Sequence, residues 1–321
     1  MKFLRLILTG FVALVFIGGA NAPGQNADTV APKIASGRLV RLNLIVTDQA
    51  NHSRDDIRQE DIQVFEGGTQ QTIVLFEKDE RPIDYILAVD TSESLRPIFG
   101  ALLEVVRLII ENKRASDEIF IERFISGDKI ETLQDFTADK ELLRSALKKM
   151  RPEGGQSAVI DGTYLAIEHI AKRAQPERRK AVVLITDGED RSSFYTIEKL
   201  VKLLHKTNVQ VFIVGLVTEL DQDGGRIRLS NRQLAEKLLT TIAKESRGRL
   251  FLPTTIGDLD KATAEIAHDL QRQYVVGYRS TNSDGNPGFR KVEVKIVTDP
   301  KTEKLKVIAP RGYEVVAPRA N

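Results

Sequence analysis

IDYILAVDTSES, residues 83–94, is the stretch from which the fold prediction starts. Its apolar run, residues 86–89, predicts a strand buried on both faces, as in parallel sheets. The run ends at Asp90, and Ser92 and Ser94 follow in the pattern D-x-S-x-S. Ligands of open α/β sheets bind at the carboxyl ends of strands, and a carboxylate with two hydroxyls suits a hard cation such as Mg²⁺. Alone the pattern is weak, because aspartate and serine also form ordinary turns.

Two downstream segments strengthen this interpretation. Residues 181–186 predict a second buried strand, which also ends in an aspartate, Asp187. Between the two strands lies a glycine-rich loop, residues 154–157, which ends in Ser157, with Asp161 four positions later. Three separate loops therefore offer oxygen ligands.

The three loops together resemble the metal-ion-dependent adhesion site of the von Willebrand factor A domain. The resemblance covers residues 82–273. It implies a site for Mg²⁺, with Mn²⁺ or Ca²⁺ as alternatives, in which the hydroxyls bind the ion directly and the carboxylates act through water. The metal-site residues that it implies are Asp90, Ser92, Ser94, Ser157 and Asp187.

Two positions depart from the family pattern. Ser157 stands where threonine is usual, so it keeps the hydroxyl and lacks the methyl group. Glu93 stands where glycine is frequent and adds a charge beside the site. These departures leave open a structural domain whose metal site is vestigial.

From Ile83 onward the sequence alternates strand and helix patterns, which predicts an α/β domain. The expected architecture is a doubly wound, mostly parallel sheet with helices on both faces, which is the Rossmann-like fold that the resemblance also implies. Residues 119–125 and 130–137 predict a hairpin within it. Asp161 and Asp258 are predicted to cap the helices that follow them.

The flanking segments change character. Residues 36–80 and 274–318 show strand patterns without a helix pattern. We expect them to form one small β-sandwich-like domain with the α/β domain inserted between its halves; two separate β appendages are the alternative. Signal peptide, β region, A-type domain and tail, in this order, resemble bacterial secreted proteins related to the von Willebrand factor A domain.

The start of the chain has the features of a secretory signal peptide. Residues 1–22 combine a basic start, an apolar stretch and a cleavage site after Ala22. Residues 23–35 are small and polar, which predicts a disordered leader. We therefore expect a secreted or periplasmic protein without a membrane span after cleavage; an uncleaved N-terminal membrane anchor is the alternative.

Composition excludes several functions. The formal net charge of +2 falls to zero without residues 1–22, so nothing indicates a nucleic acid partner. The chain has no cysteine, which excludes disulfides and thiolate chemistry. Its four histidines have no metal-ligand spacing.

The site therefore predicts a binding module and not an enzyme. The expected partner is an extracellular or periplasmic protein with an exposed aspartate or glutamate that engages the metal. The remote alternative is an aspartic-type hydrolase, because Asp90-Thr91-Ser92 matches the D-T-S/G loop of such enzymes. That chemistry needs a second such loop and an all-β fold, whereas Asp187 lies in T-D-G.

Overall fold

The computed structural model describes residues 38–207, 209–218, 220, 229–282, 287–297 and 304–315. The predicted signal peptide and the predicted leader, residues 1–35, lie outside the described residues. Within the described ranges, none of the helices combines the length and apolar character needed to cross a bilayer.

The centre of the fold is a six-stranded sheet with the order β10-β9-β8-β5-β6-β7. All neighbours are parallel except β6 and β7, which form the predicted hairpin. Every residue of β5 is buried, as its apolar sequence predicts. The strands are β5 (Ile83–Asp90), β6 (Glu118–Ser126), β7 (Lys129–Thr137), β8 (Arg179–Thr186), β9 (Gln210–Gly215) and β10 (Leu250–Phe251).

Helices cover both faces of this sheet, which confirms the doubly wound α/β prediction. Alternate β5 residues serve the two faces: Leu87 packs in one hydrophobic cluster with α1, α2 and α6, and Ala88 in the other with α3, α4 and α5. The helices are α1 (Phe99–Asn112), α2 (Lys140–Leu147), α3 (Val159–Ala171), α4 (Ile197–Thr207), α5 (Asn231–Ser246) and α6 (Ile256–Gln271).

Two capping predictions were wrong. Asp258 is the third residue of α6, and Thr255 is the N-cap; their side chains form a reciprocal capping box. Asp161 lies inside the first turn of α3. Its carboxylate instead accepts hydrogen bonds from the backbone N–H groups of Phe194 and Tyr195, each at 2.8 Å, so it holds a distant loop.

The flanking segments form two four-stranded sheets with the orders β13-β1-β11-β4 and β14-β12-β2-β3. Strands from before the α/β domain pair with strands from after it, β1 with β11 and β13, β4 with β11, and β2 with β12. A hydrophobic cluster draws on both sheets. The strands are β1 (Leu39–Thr47), β2 (Ile62–Glu66), β3 (Thr69–Gln71), β4 (Ile73–Asp79), β11 (Gln273–Arg279), β12 (Gly288–Ile296), β13 (Lys306–Ile308) and β14 (Gly312–Val315).

A buried ion pair ties the β1–β2 connection to the α/β domain. Arg249, 3% exposed, forms an ion pair with Asp269 of α6, which is fully buried. The Ser53 hydroxyl lies 2.5 Å from Asp269 Oδ1 and accepts from Arg249 Nη1 at 2.6 Å. Arg249 also donates to the carbonyl of Asn51. The contact therefore depends on two charged groups that are almost fully buried.

Candidate metal centre

Two neighbouring parallel strands bring the predicted carboxylates to one edge of the sheet. β5 and β8 pair in register, with Val89 beside Ile185. Asp90 ends β5, and Asp187 directly follows β8. Both residues are buried: Asp90 is fully buried, and Asp187 is 2% exposed. The carboxyl ends of β5 and β8 therefore hold two acidic groups in a low-dielectric environment.

Asp90 is held by three hydrogen bonds. Its Oδ1 accepts from the backbone N–H of Ser92 at 3.0 Å. Its Oδ2 accepts from the hydroxyls of Ser157 and Thr186, each at 2.7 Å. Burial raises the pKa of Asp90, and these hydrogen bonds oppose that rise.

The three predicted serines lie around this carboxylate. The hydroxyls of Ser92 and Ser94 are 3.2 Å apart at the start of a 3-10 turn, Glu93–Ile98, that follows β5. Ser157 reaches the site from the loop before α3, and its carbonyl accepts from the backbone N–H groups of Arg191 and Ser192. The structure thus brings the predicted site residues together, while their role as metal ligands stays a prediction.

The two carboxylate oxygens of Asp187 differ in their hydrogen bonds. Its Oδ1 accepts from the backbone N–H of Glu189 at 2.9 Å. Its Oδ2 is buried and has no hydrogen-bond partner among the described residues. Burial and then the charge of Asp90 raise the pKa of Asp187 to about 6, and the Ser94 hydroxyl opposes this. When both carboxylates are ionised, they therefore repel each other in a buried site.

Among the described residues, the two carboxylates have no cationic side-chain partner. Within the part of the chain that the structure describes, no Lys, Arg or His forms an ion pair with Asp90 or Asp187. Nor does any group of three or more His, Cys, Asp or Glu side chains there have a metal-binding arrangement. The donors at this edge are two carboxylates plus hydroxyls, all oxygen, which fits a hard divalent cation.

Sequence reasoning missed two threonines at the site. Thr186 donates to Asp90, and the Thr91 hydroxyl is buried without a hydrogen-bond partner. Each adjoins a predicted carboxylate in the sequence, Thr186 before Asp187 and Thr91 after Asp90. Both threonines could have been predicted as site residues, because each carries a hydroxyl next to an acid at the end of a predicted buried strand.

The charge of Glu93 is already paired. Its carboxylate makes two hydrogen bonds with Arg96, at 2.6 and 2.8 Å, and its side chain is half exposed. The negative charge that Glu93 adds beside the site is therefore accompanied by the positive charge of Arg96. A cavity of about 230 Å³ adjoins the site and is lined by Ser94 and Asp187 together with Leu95, Leu216 and Asn231.

The histidines do not contribute to this edge of the sheet. His52 contacts Asp48, and His205 contacts Glu245. His169 stacks on two phenylalanines, and His268 lies near the acidic side chains of Asp55 and Asp269. None of these contacts involves a predicted site residue.

The fold and this edge define an open α/β domain with an oxygen-rich pocket at the carboxyl ends of its central strands. The chain belongs to the von Willebrand factor type A domain family, whose sequence model matches residues 84–265, more than half of the chain. A comparison with curated proteins found no match.

Several solved structures match the chain. A von Willebrand factor type A protein from Catenulispora acidiphila is 13% identical, with a TM-score of 0.48, and the match covers 77% of this chain and 75% of that one. Manganese-loaded TRAP protein from Plasmodium vivax is 16% identical, with a TM-score of 0.45 and coverages of 75% and 98%. An aerotolerance-related membrane protein from Bacteroides fragilis NCTC 9343, carrying multiple mutations to serine, is 20% identical, with a TM-score of 0.45 and coverages of 58% and 98%.

Proposed function

We propose that this protein is a binding module that captures an acidic side chain of a partner protein through a divalent cation, Mg²⁺ in the first instance. One observation carries the proposal. Two buried carboxylates from adjacent strands have no cationic partner among the described residues, and one of them has an unpaired oxygen. Burying like charges without compensation is costly, and a bound cation would remove that cost.

The hydrogen bonds suggest different roles for the ligands. A hydroxyl that donates its proton to a carboxylate keeps its lone pairs free for a cation, which is the situation of Ser157. Asp90 already accepts three hydrogen bonds, so it is better suited to hold the hydroxyls in place than to contact the ion. Asp187 Oδ2 is free for the ion or for a water molecule bound to it. Ser92 and Ser94 complete the set.

A bound divalent cation would supply a positive charge with a coordination position open to a carboxylate of the partner. The surrounding residues favour binding without turnover. The hydroxyls near Asp90 are not in contact with a histidine or lysine that could act as a base, within the described ranges. The hydrolase alternative is also weakened, because its loop belongs to an all-β fold and this sheet is α/β.

The proposal includes export of the protein. Residues 1–22 have the tripartite pattern of a signal peptide. Intact-mass analysis of exported protein should give an N-terminus at Pro23. Full-length chain held firmly in the membrane would instead support the anchor alternative.

Thermal unfolding with Mg²⁺ and with a chelator tests the metal site. The wild type should gain stability with Mg²⁺ by mass action, about 2.7 kcal/mol at a hundredfold excess over Kd. Asp187→Asn should lose this gain. It should also be at least as stable as the wild type in chelator, because it removes one of two buried like charges.

Asp128→Asn is the matched control, because Asp128 lies in the exposed turn between β6 and β7. It should keep the full Mg²⁺ gain. A gain that persists in Asp187→Asn would place the cation elsewhere. No gain in the wild type would favour the vestigial site.

Capture of partners from the protein's native compartment tests the binding function. Wild-type protein in Mg²⁺ should retain a partner that is released by chelator and not retained by Asp187→Asn. Changing the partner's key acid to an amide should abolish the interaction. A partner retained equally in chelator would contradict capture through the metal.

A further inference from the structure

A second polar cavity lies at the opposite end of the central sheet. It has a volume of about 310 Å³, within the range of small-molecule sites. It is lined by the first residues of β8 and β9 and by parts of β1 and β14. Since β8 rises about 3.3 Å per residue over its eight residues, roughly 25 Å separates this cavity from Asp187.

The charged side chains that line the cavity are all basic. No aspartate or glutamate is among its lining residues within the described ranges. Three arginines reach it from different segments, Arg41 from β1, Arg81 from the β4–β5 connection and Arg179 from β8. The remaining lining residues include Lys180, Arg247, Asn43, Gln210 and Tyr313.

Arg179 is the decisive residue. Its side chain is 6% exposed, and its Nη2 donates to the carbonyl of Leu270. Its Nε and Nη1 are buried and have no hydrogen-bond partner among the described residues. The nearest carboxylate oxygen, Asp79 Oδ2, is 3.6 Å from Nε, which is too far for a good hydrogen bond. A buried guanidinium with two unused nitrogens is costly unless a ligand completes it.

The two carboxylates that form ion pairs with these arginines already have other partners or lie at a distance. Asp79 makes two hydrogen bonds with Arg81, at 2.8 and 2.6 Å, and accepts a third from Asn43 at 2.7 Å. Arg41 lies 3.7 Å from Glu77. The three guanidinium groups therefore have only these two carboxylates as ion-pair partners among the described residues. Burial lowers the pKa of Arg179 to about 10, and the attraction of Asp79 and Asp117 opposes this without cancelling it.

We propose that this cavity is an anion site that binds the phosphate group of a small molecule. Guanidinium groups present forked donors that match phosphate and carboxylate oxygens. A phosphate offers three terminal oxygens, one more than a carboxylate has, and so can serve arginines that arrive from three segments. A water molecule occupies about 30 Å³ in the liquid, so a cavity of about 310 Å³ corresponds to about ten water molecules. This leaves room for a further small group beside the phosphate.

Inorganic phosphate is the probe for this site. Thermal shift and calorimetry in chelator, at constant ionic strength, should show stabilisation by phosphate beyond that by chloride. The double variant Arg41→Gln/Arg81→Gln should weaken phosphate binding at least tenfold. Arg81 also pairs with the buried Asp79, so the fold of this variant is checked by circular dichroism before binding is measured. Arg41→Gln alone leaves that pair intact, its side chain is 57% exposed, and it should also weaken phosphate binding. Arg179→Gln should abolish binding, but it also removes a buried contact and is the secondary test.

Arg107→Gln is the matched control, because Arg107 on α1 is an equally exposed arginine paired with Glu104. It should bind phosphate as the wild type does. Asp187→Asn should also bind normally, since this site is independent of the proposed metal centre.

Several results would overturn the proposal. They are stabilisation by phosphate no greater than by chloride, unchanged affinity in the double variant, or an equal loss in Arg107→Gln. Tighter binding of succinate than of phosphate would replace phosphate by carboxylate as the ligand class, and so would also contradict it.

Discussion

Glu122 provides a test of how strongly the core of the α/β domain restricts charge. It lies in the middle of β6, beside Ala88 of β5 and Thr132 of β7. Its side chain points to the same sheet face as Phe120 and Phe124. Glu122 is 5% exposed, and its Oε1 has no hydrogen-bond partner in the described part of the chain. Burial alone raises the pKa of Glu122 from 4.5 to about 8.

This pKa makes stability depend on pH. Below about pH 4.5 the carboxyl group is protonated in both the folded and the unfolded chain. Between about pH 4.5 and 8 only the unfolded chain loses the proton, so the free energy of unfolding falls as pH rises. Each pH unit corresponds to about 1.4 kcal/mol, so the whole rise of the pKa corresponds to about 5 kcal/mol.

Glu122→Gln keeps the shape and removes the titration. Urea unfolding of both proteins from about pH 5 to about pH 8.5, in chelator, gives the difference in free energy of unfolding. That difference should shift by about 4 kcal/mol in favour of the variant over this range. Asp90 and Asp187 are present in both proteins, so their titration cancels.

Glu122→Leu is the companion variant. It replaces the polar group by an apolar one, so its free energy of unfolding will differ from that of the glutamine variant. Its pH dependence should nevertheless match that variant. A difference that changes by less than about 1 kcal/mol over the range would mean that the Glu122 carboxylate ionises in the folded protein, and the reasoning would be refuted.

Two further predictions concern the core: one removes a buried ion pair, and the other adds a methyl group at a close contact. Arg249→Met should reduce the free energy of unfolding by about 3–5 kcal/mol in urea denaturation, because it leaves Asp269 buried without its ion pair; a loss below about 1 kcal/mol would contradict this. Gly162→Ala should cost about 1–3 kcal/mol, because its Cβ would lie 2.6 Å from the Phe124 ring. Gly100→Ala, whose Cβ meets nothing within 4 Å in α1, is its control and should stabilise by up to about 1 kcal/mol.

The sequence was informative where a local pattern of residues, such as an apolar run, is enough to define a strand or a helix. The apolar runs before Asp90 and Asp187 predicted two buried strands, and the structure shows that these strands are neighbours with both acids at one edge of the sheet. It was less informative where a side chain serves a distant segment. Asp161 looked like a helix cap, because its partners at positions 194 and 195 are far along the chain. No local pattern predicted the unpaired nitrogens of Arg179, since they depend on which groups the folded chain leaves out of reach.

The pairing of β4 with β11 affects the order in which the chain can fold. Asp79 and Gln273 are direct neighbours in the sheet although the whole α/β domain separates them in sequence. Closing so long a loop in an unfolded chain slows folding, because its entropy is lost before its contacts form. Within the α/β domain, Arg179 contacts both ends of the domain: its backbone N–H donates to the carbonyl of Pro82 at 2.9 Å, and its side chain donates to the carbonyl of Leu270. A folded α/β domain therefore presents its entry and exit segments side by side, ready for β4 and β11 to pair. Until residues 273–279 have left the ribosome or the export channel, β4 has no β11 partner, and its open edge is exposed to other chains.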